Sequence, residues 1–154
     1  MLRLFFQFKP KKKIVKIQSD PHLLSIWKEL QEEFFSSEKN LLEYSVSYSQ
    51  RRQKRVLGSC NITDKKIKIA KELKDPEFHM WLAPLLYHEM CHAVLDRNIP
   101  KKNGKRLWHG ATFKAIEKRH PKMKEFNSWV KSGGWIKAVR KERGVSAWKK
   151  RCRT

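Results

Sequence analysis

One feature constrains this sequence more than any other: an apolar run at helical spacing that carries two histidines four residues apart. Over residues 78–94 apolar side chains recur every three or four positions, the pattern of a helix buried in a core. His88 and His92 lie within this run. Four residues make about one helical turn, so both rings project from one face, where they can bind a single Zn²⁺. Pro84 must either kink the helix or begin a new one near Ala83.

A glutamate follows the first of these histidines directly. Glu89 lies about 100° around the helix from His88, so it can reach a water molecule at the metal without ligating the metal itself. That is the position of a general base. A single histidine on a buried helix is more often a core residue than a ligand, but two at this spacing with a glutamate between them favour a metal site. We therefore predict one zinc ion per chain, with Glu89 as the catalytic residue.

A catalytic zinc site needs a third protein ligand and one open position. The remaining histidines are His22, His79, His109 and His120. His109 is the best candidate, because it follows a loop at the entrance to a predicted helix. Gly110 would permit close approach of the backbone there, and Phe113 would pack beneath the site. Glu117 and His120, later on the same helix, remain alternatives.

The cysteines indicate a reducing environment. Cys60, Cys91 and Cys152 are odd in number and form no Cys-x-x-Cys pair, which argues against a disulfide framework. We interpret Cys60 and Cys91 as small buried thiols. No segment approaches the roughly 18 apolar residues of a membrane span, and the apolar segment Leu2–Phe8 is too short. We expect a cytoplasmic protein without a membrane partner, with Leu2–Phe8 forming a strand or a disordered lead.

The remaining patterns predict an α+β fold. Asp20-Pro21 is a helix start, and Asp75-Pro76 is another. Alternating residues predict strands around Val46, over 56–62 and over 66–70, with the last two joined as an antiparallel hairpin. Further helices are predicted over 111–119, 121–131 and 135–143, a basic loop over 99–107, and a frayed tail over 147–154.

The charge is strongly basic and unevenly distributed. The chain carries 36 Lys and Arg against 15 Asp and Glu, a net charge of +21, and residues 100–154 contribute +15 of it. Such a field attracts nucleic acid, although a solvated basic face explains it equally well. Four loop residues lie between the second and third candidate ligands and are the candidate DNA contacts: Lys101, Lys102, Lys105 and Arg106.

Two tryptophans near the C-terminus lie among further cations. Trp135 and Trp148 can stack on bases while neighbouring lysines and arginines neutralise phosphates. The alternative, which we favour, is an amphipathic helix with Trp135, Ile136 and Val139 in the core. A nucleic-acid-binding protein with a vestigial or structural zinc site is therefore the rival to an enzyme.

The sequence resembles the SprT-like metallopeptidases, the group that includes the eukaryotic protease Spartan. The resemblance covers roughly residues 20–132 and rests on two motifs, His88-Glu89-Met90-Cys91-His92-Ala93 and His109-Gly110-Ala111-Thr112-Phe113. Pro121 and Trp129 follow downstream. The sequence is also similar to the YgjP-like metallopeptidases, a related minimal group.

This resemblance implies a minimal zincin-like domain, in which a small antiparallel sheet packs against an active-site helix and flanking helices. It implies zinc binding by His88, His92 and His109, catalysis by Glu89, and a protein or peptide substrate. In Spartan-like members it also implies cleavage of proteins crosslinked to DNA. Many members carry a zinc ribbon after this domain, and because Cys152 is the one cysteine in residues 146–154 we expect no zinc ribbon there. We divide the chain into a lead (1–19), a metallopeptidase domain (20–145) and a basic tail (146–154).

Peptide hydrolysis in such a site needs a group that stabilises the oxyanion. The sequence does not single one out. The candidates are Tyr44, Tyr48 and the cluster Arg51–Arg55.

Overall fold

The structure, a computed structural model, describes residues 18–153. The segment Leu2–Phe8 lies outside the described residues. The α-helices are α1 (Pro21–Phe34), α2 (Leu82–Leu95), α3 (Ala111–Glu117), α4 (Met123–Lys131) and α5 (Gly134–Arg151). The strands are β1 (Ser45–Tyr48), β2 (Gly58–Asn61), β3 (Lys66–Ile69), β4 (Lys101–Lys102) and β5 (Lys105–Arg106). Short 3₁₀ helices cover Lys39–Glu43, Lys71–Lys74, Pro76–Trp81 and Asp96–Asn98.

The first helix begins where the sequence predicts. The Asp20 side chain accepts hydrogen bonds from the backbone N–H groups of His22 and Leu23, at 3.1 and 3.2 Å. Pro21 fits the first turn because its missing N–H would have no intrahelical partner there. Trp27 is fully buried, and its indole N–H donates to the Leu41 carbonyl at 2.8 Å. This bond fixes α1 against the chain that leads into the sheet.

The sheet is mixed, with strand order β1-β3-β2. β2 and β3 form the predicted antiparallel hairpin, with Cys60 opposite Ile67. β1 pairs with β3 in parallel, with Val46 opposite Ile67. The prediction of an antiparallel sheet is therefore wrong for this pair of strands. Residues 49–57 connect β1 at one edge of the sheet to β2 at the other edge. β3 then pairs between them, in the central position. The α+β class is confirmed.

Helix α2 lies at the centre of the fold, against α1, α3 and β2. Asp75 caps a helical start as predicted, but the turn it begins, Pro76–Trp81, is 3₁₀ rather than α. The α-helix proper begins at Leu82, one residue before the expected position. Pro84 falls in its first turn, where a missing backbone N–H costs nothing. Most of α2 is buried, so its histidines are held on a rigid element.

The basic loop between α2 and α3 is a short hairpin, which corrects the prediction of an irregular loop. β4 and β5 pair antiparallel, with Lys101 opposite Arg106 and Lys102 opposite Lys105. The turn residues Asn103 and Gly104 have φ of 50° and 73°. Two successive positive φ values suit a two-residue hairpin turn, and Asn-Gly is its commonest sequence.

The C-terminal helices depart from prediction at their ends. α5 continues to Arg151, so most of the expected frayed tail is helical. Trp135 and Val139 are buried as expected, and the Trp135 indole donates to the Lys54 carbonyl at 3.2 Å. The prediction that Ile136 lies in the core is wrong. Its side chain is 54% exposed, because its position on α5 points away from the core. Among residues 18–153 none of the helices combines the length and apolar character needed to cross a bilayer.

Candidate metal centre

Three histidine rings converge at one end of α2. His88 and His92 project from the same face of the helix, with ring centroids 5.0 Å apart. His109 comes from the turn before α3, and its Nε2 lies 3.1 Å from Nε2 of His92. One nitrogen from each ring lies within 4.8 Å of the others. The structure therefore brings together the three residues that the sequence predicts as ligands.

The geometry of the three rings fits a metal ion. Nitrogen atoms about 2.0–2.1 Å from a tetrahedral zinc lie roughly 3.4 Å from each other. The His92–His109 separation of 3.1 Å is close to that value. At this separation the two nitrogens can share one proton in an N–H···N hydrogen bond or, with both lone pairs free, converge on one metal ion. The donor set, three imidazoles and no thiolate, is typical of a metal site with an open position.

Burial keeps two of these rings in the form that binds metal. The pKa of His92 is lowered to about 4, first by burial and then by the neighbouring charges of His88 and His109. Burial also lowers the pKa of His109. Only neutral imidazole has a free lone pair for a metal. Protons therefore compete weakly for these two rings near neutral pH.

Phe113 forms the floor of the site, as the sequence predicts. Its ring lies 5.1 Å from His88, 4.5 Å from His92 and 4.9 Å from His109, measured between centroids. The side chain is 1% exposed. A rigid aromatic under all three rings restricts their rotation, which pre-organises them for a metal.

The two alternative ligands occupy other places. Glu117, on α3, has its carboxylate Oε1 2.6 Å from Nδ1 of His88, and this hydrogen bond is the main cause of its lowered pKa. Because Nδ1–H donates to the carboxylate, Nε2 of His88 is left free for the metal. His120 is buried, with its ring 5.1 Å from Tyr87, and its Nδ1 accepts from the Lys122 N–H. Glu117 therefore orients the ring of a candidate ligand, and His120 belongs to the core.

Glu89 is buried beside the three rings. It is 4% exposed, and burial raises the pKa of its carboxyl group to about 7, against a smaller lowering effect of His88. The neighbouring strand makes room for it with Gly58. A Cβ atom at this glycine would lie 2.6 Å from Oε1 of Glu89, far inside van der Waals contact. The close approach explains why β2 has a glycine at this position.

The site opens into a cleft of about 1040 Å³. Its walls come from β2 and its turn, from α2, and from the segment before α3. The lining residues are Asn40, Tyr44, Gly58, Ser59, Cys60, Asn61, Ile62, Thr63, Lys65, His88, Glu89, His92, Asp96, Arg106, Trp108 and His109. A cleft of this size has room for a short extended peptide.

Of the candidate oxyanion groups, Tyr44 lines the cleft. Burial raises the pKa of its hydroxyl group to about 12, so the hydroxyl stays protonated and can donate a hydrogen bond. Tyr48 and the cluster Arg51–Arg55 are not among the lining residues. The Tyr48 hydroxyl is instead buried without a hydrogen-bond partner among the described residues.

One cleft residue, Cys60, is placed differently from the sequence interpretation, and the sequence analysis missed another, Trp108. Cys91 is fully buried, as expected, but Cys60 is partly exposed and lines the cleft. Burial raises the pKa of the Cys60 thiol to about 12, so it is not a nucleophilic thiolate. Trp108 is 40% exposed at the rim, with its ring 6.3 Å from that of His92. Its place directly before His109 was the sequence signal for a rim residue.

Of the four candidate DNA contacts, one reaches the cleft. Arg106 lines it, with its guanidinium 5.6 Å from the Trp108 ring centroid. Lys101, Lys102 and Lys105 are exposed on the adjoining hairpin. Within the described part of the chain, none of the four forms an ion pair.

Comparison with known proteins identifies the family. The model of the SprT-like family matches residues 23–132, which include most of α1, the three-stranded sheet, α2 and the three histidines of the candidate metal centre. The chain belongs to the SprT-like family. A comparison with curated proteins finds no match. The family assignment confirms the predicted resemblance, and the matched region ends before α5 begins.

Proposed function

We propose that this protein is a zinc-dependent peptidase of the HExxH type, with His88, His92 and His109 as ligands and Glu89 as general base. The observation that carries the proposal is the convergence of three imidazoles beside a buried carboxylate, inside an open cleft. Membership of the SprT-like family supports it.

The chain's own residues account for the roles that peptide hydrolysis requires. When bound, zinc would supply a Lewis acid and lower the pKa of its water ligand to near 7. Glu89 is buried in the wall of the same cleft, where its carboxylate can take the proton from that water and pass it on to the leaving amine. Tyr44 keeps its hydroxyl proton and can donate a hydrogen bond to developing negative charge. Glu117 holds the His88 ring by its Nδ1–H.

The rival function, a structural zinc site in a nucleic-acid-binding protein, fits these observations less well. A structural zinc is enclosed by four protein ligands, whereas the described residues supply three around an open cleft. A structural site also has no use for a buried carboxylate with a raised pKa. The open cleft and Glu89 therefore favour an enzyme.

Metal analysis combined with a proteolysis assay tests the proposal. Wild type is expected to contain about one zinc per chain, and the Ala variants of His88, His92 and His109 are expected to lose it. His22→Ala, which removes an exposed histidine of α1, is the matched control and should keep the metal. Glu89→Gln should keep zinc and lose at least about 10²-fold in activity, the usual scale for a general base. Undiminished cleavage by this variant would refute the mechanism.

We also infer that the substrates include proteins bound to DNA. The support is the β4–β5 hairpin, whose four cations form no ion pair with the described side chains and which adjoins the cleft through Arg106. Like charges placed opposite each other destabilise a strand pair, so a bound polyanion would stabilise this hairpin. DNA affinity should be independent of sequence and fall steeply with salt, because it comes from counterion release.

Neutralising the hairpin tests this second inference. Replacing Lys101 and Lys102 with Gln should weaken DNA binding and flatten its salt dependence, with zinc content unchanged. Lys149 and Lys150, exposed near the end of α5, provide a control of equal charge. Replacing these two with Gln should weaken DNA binding less. Absence of DNA binding at about 50 mM salt, where such attraction is strong, would leave the basic surface without this role.

A further inference from the structure

One carboxylate of the cleft has no role in the site described above. Asp96 follows α2 directly, four residues after His92, and its backbone N–H donates to the His92 carbonyl. It is partly buried and lines the cleft. Its backbone is unusual for a residue with a side chain, with φ 34° and ψ −110°. Such strain costs about 1–3 kcal/mol and concentrates at functional sites.

The chain carries 36 lysines and arginines, yet the Asp96 carboxylate has no partner among the side chains that the structure describes. Within residues 18–153 it makes neither an ion pair nor a side-chain hydrogen bond. The two cations that line the same cleft have other neighbours: Lys65 pairs with Glu43, and Arg106 lies against the Trp108 ring. A partly buried negative charge left without a partner is unfavourable, so a cation that occupies the cleft would be stabilised by it.

The neighbours of Asp96 suit a long side chain with a charged end. The negative charge of Asp96 contributes to the raised pKa values of both Tyr44 and Cys60, which places all three at one part of the cleft. Tyr44 and Cys60 are neutral there, and both present partly apolar surface. A lysine or arginine can lay its methylene stem along such surface and direct its charge at a carboxylate.

We propose that Asp96 is a specificity-determining residue that accepts a lysine or arginine side chain of the substrate polypeptide. The inference rests on the proposed peptidase function and names the class of substrate that the cleft selects. A bound metal ion is a poorer occupant, because a single carboxylate offers too few ligands.

The test uses pairs of fluorogenic peptides that differ only by Lys or Met, placed in turn at each position around the scissile bond. At one position the kcat/KM of wild type for the Lys peptide should be about fivefold that for the Met peptide. A partly screened ion pair has an effect of this size. Asp96→Asn should bring this ratio close to one, and Asp96→Lys should reverse it. Glu33→Gln removes an exposed, unpaired carboxylate of α1 outside the cleft and should keep the wild-type ratio.

The outcomes separate this inference from the peptidase proposal. Equal cleavage of both peptides at every position, or a Lys preference that survives Asp96→Asn, overturns the role of Asp96 and leaves the peptidase standing. If wild type cleaves neither peptide, the peptidase proposal fails. The affinities of the same peptides for the zinc-loaded protein then decide the question. Selective binding of the Lys peptide, lost in Asp96→Asn, supports the cationic subsite, and equal binding refutes it.

Discussion

The buried carboxylate of Glu89 should make the metal-free protein less stable at neutral pH than the same protein with a neutral side chain. Its pKa rises from 4.5 to about 7 on folding, chiefly through burial. Below about pH 4.5 the group is protonated in both states and has no effect. As pH rises towards 7 the unfolded chain ionises first, so the free energy of unfolding falls. At about 1.36 kcal/mol per pKa unit, the full loss is about 3 kcal/mol and is complete above pH 7.

Glu89→Gln removes this loss while keeping the shape of the side chain. The variant should match wild type at pH 4 and exceed it by about 3 kcal/mol at pH 8. Urea denaturation with a chelator present, at constant ionic strength across this range, measures the difference. The histidines whose pKa values are lowered titrate in both proteins, so their contributions cancel in the comparison. A difference between the proteins that is the same at pH 4 and pH 8 would refute the reasoning.

Three further substitutions test the surroundings of the metal centre. Glu117→Gln should weaken zinc affinity about 10- to 100-fold in a chelator competition, because the amide is a poorer acceptor for the ring N–H of the first ligand. Gly58→Ala should displace the Glu89 carboxylate and lower peptidase activity at least about tenfold with zinc retained. The control Gly144→Ala, where a Cβ meets nothing, should leave activity unchanged. Phe113→Ala should lower the free energy of unfolding by about 3–5 kcal/mol, as measured by urea denaturation.

The sequence by itself determined the centre of the site. The spacing of His88 and His92 is fixed by helix geometry, which is local, so any helix at this position presents both rings together. The caps at Asp20 and Asp75 were also predictable, because an N-cap depends on a few neighbouring residues. The hairpin at Asn103-Gly104 carried a local signal of the same kind, although we predicted a loop there.

Only the tertiary structure decided the surroundings of that centre. His109, Glu117 and His120 were all open as the third ligand, and the packing of α3 against α2 separated them. The parallel pairing of β1 with β3 depends on where the chain crosses the sheet, which no local pattern encodes. The walls of the cleft, Cys60 and Asp96 among them, come from segments far apart in sequence. Side-chain spacing within one helix follows from bond geometry, whereas contacts between elements depend on the packing of the whole core.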